Sequence, residues 1–165
     1  MKLFALRIIR TSVLAAPLLA ALTLDAQNPA LWSNPGGDLN NTRSQPAETQ
    51  INAANVGSLT SKWVFTTGGD VSATPAVSAD AVYFPDWAGN LYAVRRDTGA
   101  QIWTHKISDY DNFPGSIARA TPAIHGDDLI IGDLESGTVA HNGANVMAIN
   151  RLTGALHWIT KVDPQ

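Results

Sequence analysis

Beyond Gly68 the chain alternates between short apolar runs and clusters of turn-forming residues. Ser72–Val77 is an apolar/polar stretch entered through the turn cluster Gly68-Gly69-Asp70. Ala81–Phe84 is rich in β-branched and aromatic residues and is ended by Pro85-Asp86. After the turn Trp87-Ala88-Gly89-Asn90, the segment Asn90–Arg95 places Leu91 and Ala93 on one side and Tyr92 and Val94 on the other. Asp97-Thr98-Gly99-Ala100 is a further turn, and Gln101–His105 follows as a fourth run. Runs of this length with a period of two, bounded by Gly, Pro, Asn and Asp, predict four short antiparallel strands. Downstream of the apolar N-terminus no window carries a convincing helical period, although Ala47–Leu59 has room for one helical turn.

The pattern then recurs. Ala93-Val94-Arg95-Arg96-Asp97-Thr98-Gly99-Ala100-Gln101-Ile102-Trp103 returns as Ala148-Ile149-Asn150-Arg151-Leu152-Thr153-Gly154-Ala155-Leu156-His157-Trp158. Thr74-Pro75-Ala76-Val77 and Ala81–Phe84 precede the first copy, and Thr121-Pro122-Ala123-Ile124 and Asp128–Ile131 precede the second. The second unit carries insertions at Ser108–Ile117 and Glu135–Asn145, whose Gly, Asp, Asn and Ser content reads as loop. A weaker echo, Asn55-Val56, Leu59 and Lys62-Trp63, reads as the last strand of a preceding unit. Repetition of one supersecondary unit at this scale predicts a solenoid or propeller.

Gly and Trp have separate tasks in the repeat. The Gly after Thr supplies a positive φ in the tight turn between third and fourth strands. The Trp falls on the outer strand, where its indole can pack on the neighbouring unit, and small Ala93 and Ala148 leave room for it. Trp103 and Trp158 are therefore read as structural, not as cofactor-stacking residues.

These residues resemble the tryptophan-docking motif of the quinoprotein propellers, the family of pyrroloquinoline quinone (PQQ) dependent alcohol dehydrogenases. Trp32-Ser33-Asn34-Pro35-Gly36-Gly37-Asp38, Asn41-Thr42-Arg43 and Gln50-Ile51-Asn52 resemble the segment that leads into those propellers. Asp38-Leu39-Asn40-Asn41-Thr42-Arg43 and Val71–Val77 are most similar to the polyvinyl-alcohol dehydrogenase branch. The resemblance implies an all-β chain, an open part of a propeller with four-stranded antiparallel blades. Two to three blades of an expected eight are present, since the chain has 165 residues, so it is expected to be the N-terminal piece of a longer protein. The alternative is a self-contained small protein that assembles into a ring. Either way a bare blade edge invites self-association.

The N-terminus is of a different character. Lys2, Arg7 and Arg10 precede the apolar run Val13–Leu24, broken by Pro17 and followed by Ala26. This is the layout of a secretory signal peptide over residues 1–26, with export to the periplasm. The apolar run is short for a membrane span, and a retained anchor is the alternative. Arg7 and Arg10 are not adjacent, so the twin-arginine pattern is missing. Residues 27–62 then form a lead-in segment and partial blade, and 63–165 two truncated repeats.

Composition narrows the partners. A net charge of −3 with 15% charged residues offers no basic stripe for nucleic acid. The chain has no cysteine, which excludes disulfides, a lipid-bearing Cys and a Cys-x-x-Cys-His haem attachment. It also departs from those alcohol dehydrogenases that carry a vicinal disulfide beside the quinone.

By resemblance the complete protein holds PQQ, a Ca²⁺ that polarises the quinone carbonyl, and an Asp base, and it passes electrons from an alcohol to an acceptor. Arg119, before Ala120-Thr121-Pro122, lies where the family has a cofactor-contacting arginine; a rim Arg paired with Asp109 or Asp111 is the alternative. Ser72 stands where many members have a quinone-contacting Glu. The metal ligands and the base belong to later blades, so catalytic residues are not identified here and the fragment is expected to be inactive. Asp133, Glu135 and Asp127-Asp128 are weighed as calcium ligands, but Asp127-Asp128 reads as turn chemistry and Asp133-x-Glu135 as loop surface. Asp109-Tyr110-Asp111 reads as solvated loop near the funnel mouth, and Trp87 as a residue capping its blade. His105, His125, His141 and His157 lack metal-ligand spacing and read as surface. The competing function is a non-catalytic propeller acting as scaffold or sensor; Arg119 and the lead-in segment favour the dehydrogenase.

Overall fold

A computed structural model describes residues 32–135 and 144–163; the proposed signal peptide, His141 and most of the second insertion lie outside them. The two repeats form two four-stranded antiparallel sheets. In the first, β1 (Ala76–Val77), β2 (Ala81–Pro85), β3 (Asn90–Arg95) and β4 (Gln101–Lys106) follow one another from inner to outer edge. A short helix α1 (Ser108–Asp111) and β5 (Ser116–Ile117) lead onward. The second sheet orders β6 (Ala123–His125), β7 (Asp128–Gly132), β9 (Asn145–Asn150) and β10 (Leu156–Lys161) in the same sense. Between β7 and β9, β8 (Leu134–Glu135) pairs with β5. The expected blades are therefore present.

The period of two decides which residues meet. Leu91, Ala93, Tyr83 and Trp103 face the second sheet, where Leu129, Ile131, Met147 and Ile149 complete a shared core. Val82, Phe84, Tyr92 and Val94 face the other way and are covered by Trp63, Phe65 and Val77. Phe65 contacts Phe84 and Tyr92 edge-on, at centroid separations of 6.0 and 5.3 Å.

The motif's Trp and Gly meet across this interface. Trp103 Nε1 donates to the carbonyl of Arg151 at 3.0 Å, and a Cβ on Gly154 would lie 3.1 Å from the indole. Trp63 repeats the contact one unit earlier, donating to the Arg96 carbonyl at 2.9 Å and covering Gly99. Gly99 and Gly154 have φ of +72° and +75°, so one residue both closes the turn and clears the space for the ring. Ala93 pairs directly with Trp103, and Ala148 with Trp158. In both sheets the register shifts beside that pair. This bulge was not apparent from alternation alone.

Two local expectations are revised and one is met. Trp63 docks as an outer-strand residue would, yet its segment joins no sheet among the described residues. The helical turn near Ala47–Leu59 is a 3₁₀ turn over Val56–Ser58. The insertion Ser108–Ile117, read as loop, contains α1 and β5. Tyr110 stabilises that helix by burial, its hydroxyl donating to the Gly154 carbonyl at 2.8 Å. The lead-in segment has a further role: Trp32 bridges to Val77, and the Ser33 carbonyl accepts from Ile124 N at 2.9 Å. It thereby ties the two innermost strands together.

Candidate functional site

Ser72, Trp87 and Arg119 come from three separate segments and meet at one end of the blades. Trp87 follows β2 in the β2–β3 turn, and its indole N–H donates to Ser72 Oγ at 3.0 Å. The guanidinium carbon of Arg119 lies 4.9 Å from the centre of the Trp87 ring, a cation–π distance. Arg119 is exposed and forms no ion pair with any described residue. The rim alternative therefore does not occur: Asp109 accepts from Lys106 N, and Asp111 turns toward Asp133. Arg119 lies in the connection between β5 and β6. Beside this group a cleft of about 290 Å³ is lined by Trp87, Ala88, Lys106, Ser108, Gly115, Ser116 and Ile117.

Trp87 is fixed from behind by Asp86, which the alternation marks only as the end of a strand. Asp86 is 1% exposed and gathers five hydrogen-bonding groups. They are Asn90 N and Nδ2, Tyr92 Oη, Gly68 N and Gly69 N, at 2.8–3.0 Å. Burial pushes the Asp86 carboxyl upward, but these donors outweigh it and hold the group below the usual carboxylate range. Tyr92 is pushed up, first by burial and then by Asp86. The anchored turn also receives β5: Ser116 O comes so near Gly89 that a Cβ there would lie 2.9 Å away.

The second blade holds the counterpart, Asp133, which accepts from Asn145 N and Nδ2, both at 2.6 Å. It is 8% exposed, which corrects the loop-surface reading. Asp111 faces it, and burial, reinforced by the neighbouring Asp133 charge, raises the Asp111 carboxyl. Solvated loop is accordingly the wrong description of Tyr110 and Asp111. A spacing signal was present in the sequence, because Asp86…Asn90 recurs as Asp133…Asn145, but the insertion between the second pair hid it.

Other candidates resolve into structural roles. Asp127 pairs with Arg151 at 3.3 Å, and Asp128 bonds to His157, in the turn that Gly126 opens with φ +58°. Arg151 also reaches Asp80 of the first blade at 3.4 Å. His105, read as surface, is half-buried between Trp103 and Tyr110, with centroids at 5.7 and 5.8 Å. Among the described residues no three His, Asp or Glu side chains converge as a metal centre, and no helix is long and apolar enough to cross a membrane.

Residues 32–157 match the PQQ family described as the glucose/ethanol/alcohol dehydrogenase β-propeller domain. The chain is 29% identical over 118 residues to the quinoprotein ethanol dehydrogenase of Pseudomonas aeruginosa, covering 68% of this chain and 18% of that one. It is 30% identical over 82 residues to a polyvinylalcohol dehydrogenase from a Pseudomonas species, covering 50% of this chain and 13% of the relative. A solved quinohemoprotein alcohol dehydrogenase from Pseudomonas putida superposes with a TM-score of 0.64 at 24% identity, over 83% of this chain and 19% of its own. The chain thus spans less than a fifth of the length of each of these proteins.

Proposed function

Because the chain belongs to the family of PQQ-type glucose/ethanol/alcohol dehydrogenase β-propeller domains, we propose that it supplies the first blades of an exported dehydrogenase that oxidises an alcohol, polymeric or secondary. In this reading the chain contributes one wall of the quinone pocket and is inactive without the blades that carry the base and the calcium ligands. The observation that carries it is the exposed, unpaired guanidinium of Arg119 held over the Trp87 ring.

The donor set fits the group. PQQ is a planar tricarboxylate, and when bound it accepts the hydride removed from the alcohol carbon. Arg119 has its fork of N–H donors free to grip one carboxylate bidentately. Trp87 holds the guanidinium from one face, and Ser72 Oγ fixes the indole by accepting its N–H. Ser72 retains its own hydroxyl proton for a second acceptor, although it cannot replace the carboxylate that many family members have there. Asp86 keeps the whole turn rigid from below.

The test is a titration of the chain with PQQ, followed by tryptophan fluorescence, for the wild type and for Arg119→Ala. Loss of a charge-assisted bidentate contact weakens binding about ten-fold or more. Equal affinity in both proteins, or no response in the wild type, removes Arg119 and this wall from the pocket. A scaffold propeller would give that second result.

A further inference from the structure

Asp86 and Asp133 occupy equivalent places, after the second strand of each blade, and each clasps the Asn that opens the third strand. Their surroundings differ in sign. In the first blade the loop after Trp63 brings two backbone N–H groups, Gly68 and Gly69, onto the carboxylate, and Tyr92 adds a hydroxyl. In the second blade the corresponding loop after Trp103 is longer and brings a second acid, Asp111, while Met147 stands where Tyr92 would be. Asp133 and Ser116 are the side chains that act on the Asp111 carboxyl. Yet Asp111 Oδ2 and Ser116 Oγ are buried atoms that meet no hydrogen-bond partner. Ser116 is 2% exposed, and no Lys, Arg or His among the described residues pairs with either carboxyl.

Two facing carboxylates and an orphaned hydroxyl lack a positive partner, and buried oxygens left this way cost free energy. A single cation would satisfy Asp111 Oδ2 and Ser116 Oγ and offset the charge of Asp133, whose oxygens already accept from Asn145. We propose that Asp111, Ser116 and Asp133 form a cation site that binds Ca²⁺ between the first and second blades. All three donors are hard oxygens, the preference of Ca²⁺. Ser116 also lines the cleft beside Trp87, which gives water and the ion a way in to complete the coordination shell. With only two carboxylates the affinity is expected near about 10⁻³ M, in the range of weak extracellular calcium modules. The ion would pin α1 and β5 to the β7–β9 turn, and so hold the two blades together at the end where Arg119 stands.

The experiment uses the whole chain after treatment with EDTA. Addition of 10 mM CaCl₂ (roughly ten times the expected Kd) should raise Tm by about 3–6 °C. Terbium used as a calcium probe should give emission sensitised by Tyr110 or Trp87 that CaCl₂ displaces. Asp111→Asn keeps the Asp133–Asn145 clasp, and should weaken terbium binding about ten-fold and cut the Tm rise to about 1–2 °C. The inference is overturned if Ca²⁺ leaves the wild-type Tm unchanged, or if Asp111→Asn responds as the wild type does. A rise in Tm for Asp111→Asn in EDTA, with no calcium response in either protein, would overturn it in favour of a proton shared between the two acids. Should Asp111→Asn fail to fold, Ser116→Ala carries the same comparison in the terbium titration.

Discussion

Trp103 and Trp158 occupy the same place in two copies of one motif, each paired across the sheet with an Ala, yet one is 8% and the other 44% exposed. The difference lies in what faces them. Trp103 meets Gly154, the Arg151 carbonyl and His105 of its own interface, whereas Trp158 has no following motif against it among the described residues. A docking motif is therefore half of a contact. Its sequence specifies a ring and a receptor, and the ring stabilises the fold only where the receptor of the next unit arrives.

That contrast can be broken most strongly at the docked ring itself. Trp103→Ala should cost about 3–5 kcal/mol in urea unfolding, by cavity formation and loss of the Arg151 bond. Trp158→Ala should change stability by about 0.5 kcal/mol or less. Similar costs at both positions would mean that Trp158 is covered in solution.

Asp86 gives the next largest effect. Asp86→Ala strands the N–H of Gly69, the Asn90 N and Nδ2 and the Tyr92 hydroxyl, and should cost about 2–3 kcal/mol. Its carboxyl lies below its ordinary value in the folded chain, so its contribution is fully present above the unfolded pKa of 3.8. That contribution disappears as pH falls through the lower, folded value. A stability profile against pH should therefore flatten at its acid end in Asp86→Asn, and an unchanged slope would assign the acid sensitivity elsewhere.

The receptor side comes third. Gly154→Ala places a Cβ 2.5 Å from the His105 ring at a φ of +75°, whereas Gly126→Ala meets open space at +58°. Costs of about 2 kcal/mol and about 1 kcal/mol are expected in thermal unfolding. Equal costs would show that the backbone conformation alone matters and the docked ring can shift. Smallest of all, Ser72→Ala removes a single acceptor from an exposed indole and should cost about 0.5–1 kcal/mol. Its more telling readout is the Trp87 emission maximum, which should shift if Ser72 Oγ fixes the ring.

The blades were legible because alternation and turn chemistry are local properties. β3 spans Asn90–Arg95, and β2 and β4 fall within a residue of their expected ends. The innermost strand was overestimated: only Ala76–Val77 pairs with β2, since Thr74-Pro75 offers no N–H at the Pro. Arg119 and Ser72 could be singled out by family resemblance, but nothing in their spacing places them around Trp87, which joins them through contacts over 15 and 32 residues of chain. Asp111 and Asp133 were read as loop because acidic residues among Gly, Asn and Ser usually are solvated. Burial of those acids depends on β5 and α1 closing over them.

By itself the sequence determined the repeat, the four-stranded blade, the positive-φ glycines and the partnership of Trp with Gly. Each follows from side-chain size, backbone sterics and a period of two, which act over a few residues. Only the tertiary structure decided which Trp is covered, that Asp86 is encircled by donors while Asp133 faces another acid, and that a free guanidinium rests on an indole. Those outcomes depend on the distance between segments remote in sequence, and on whether water remains between them. Hydrogen bonds and charges change their worth with that water, so equivalent residues in the two blades came to hold opposite surroundings.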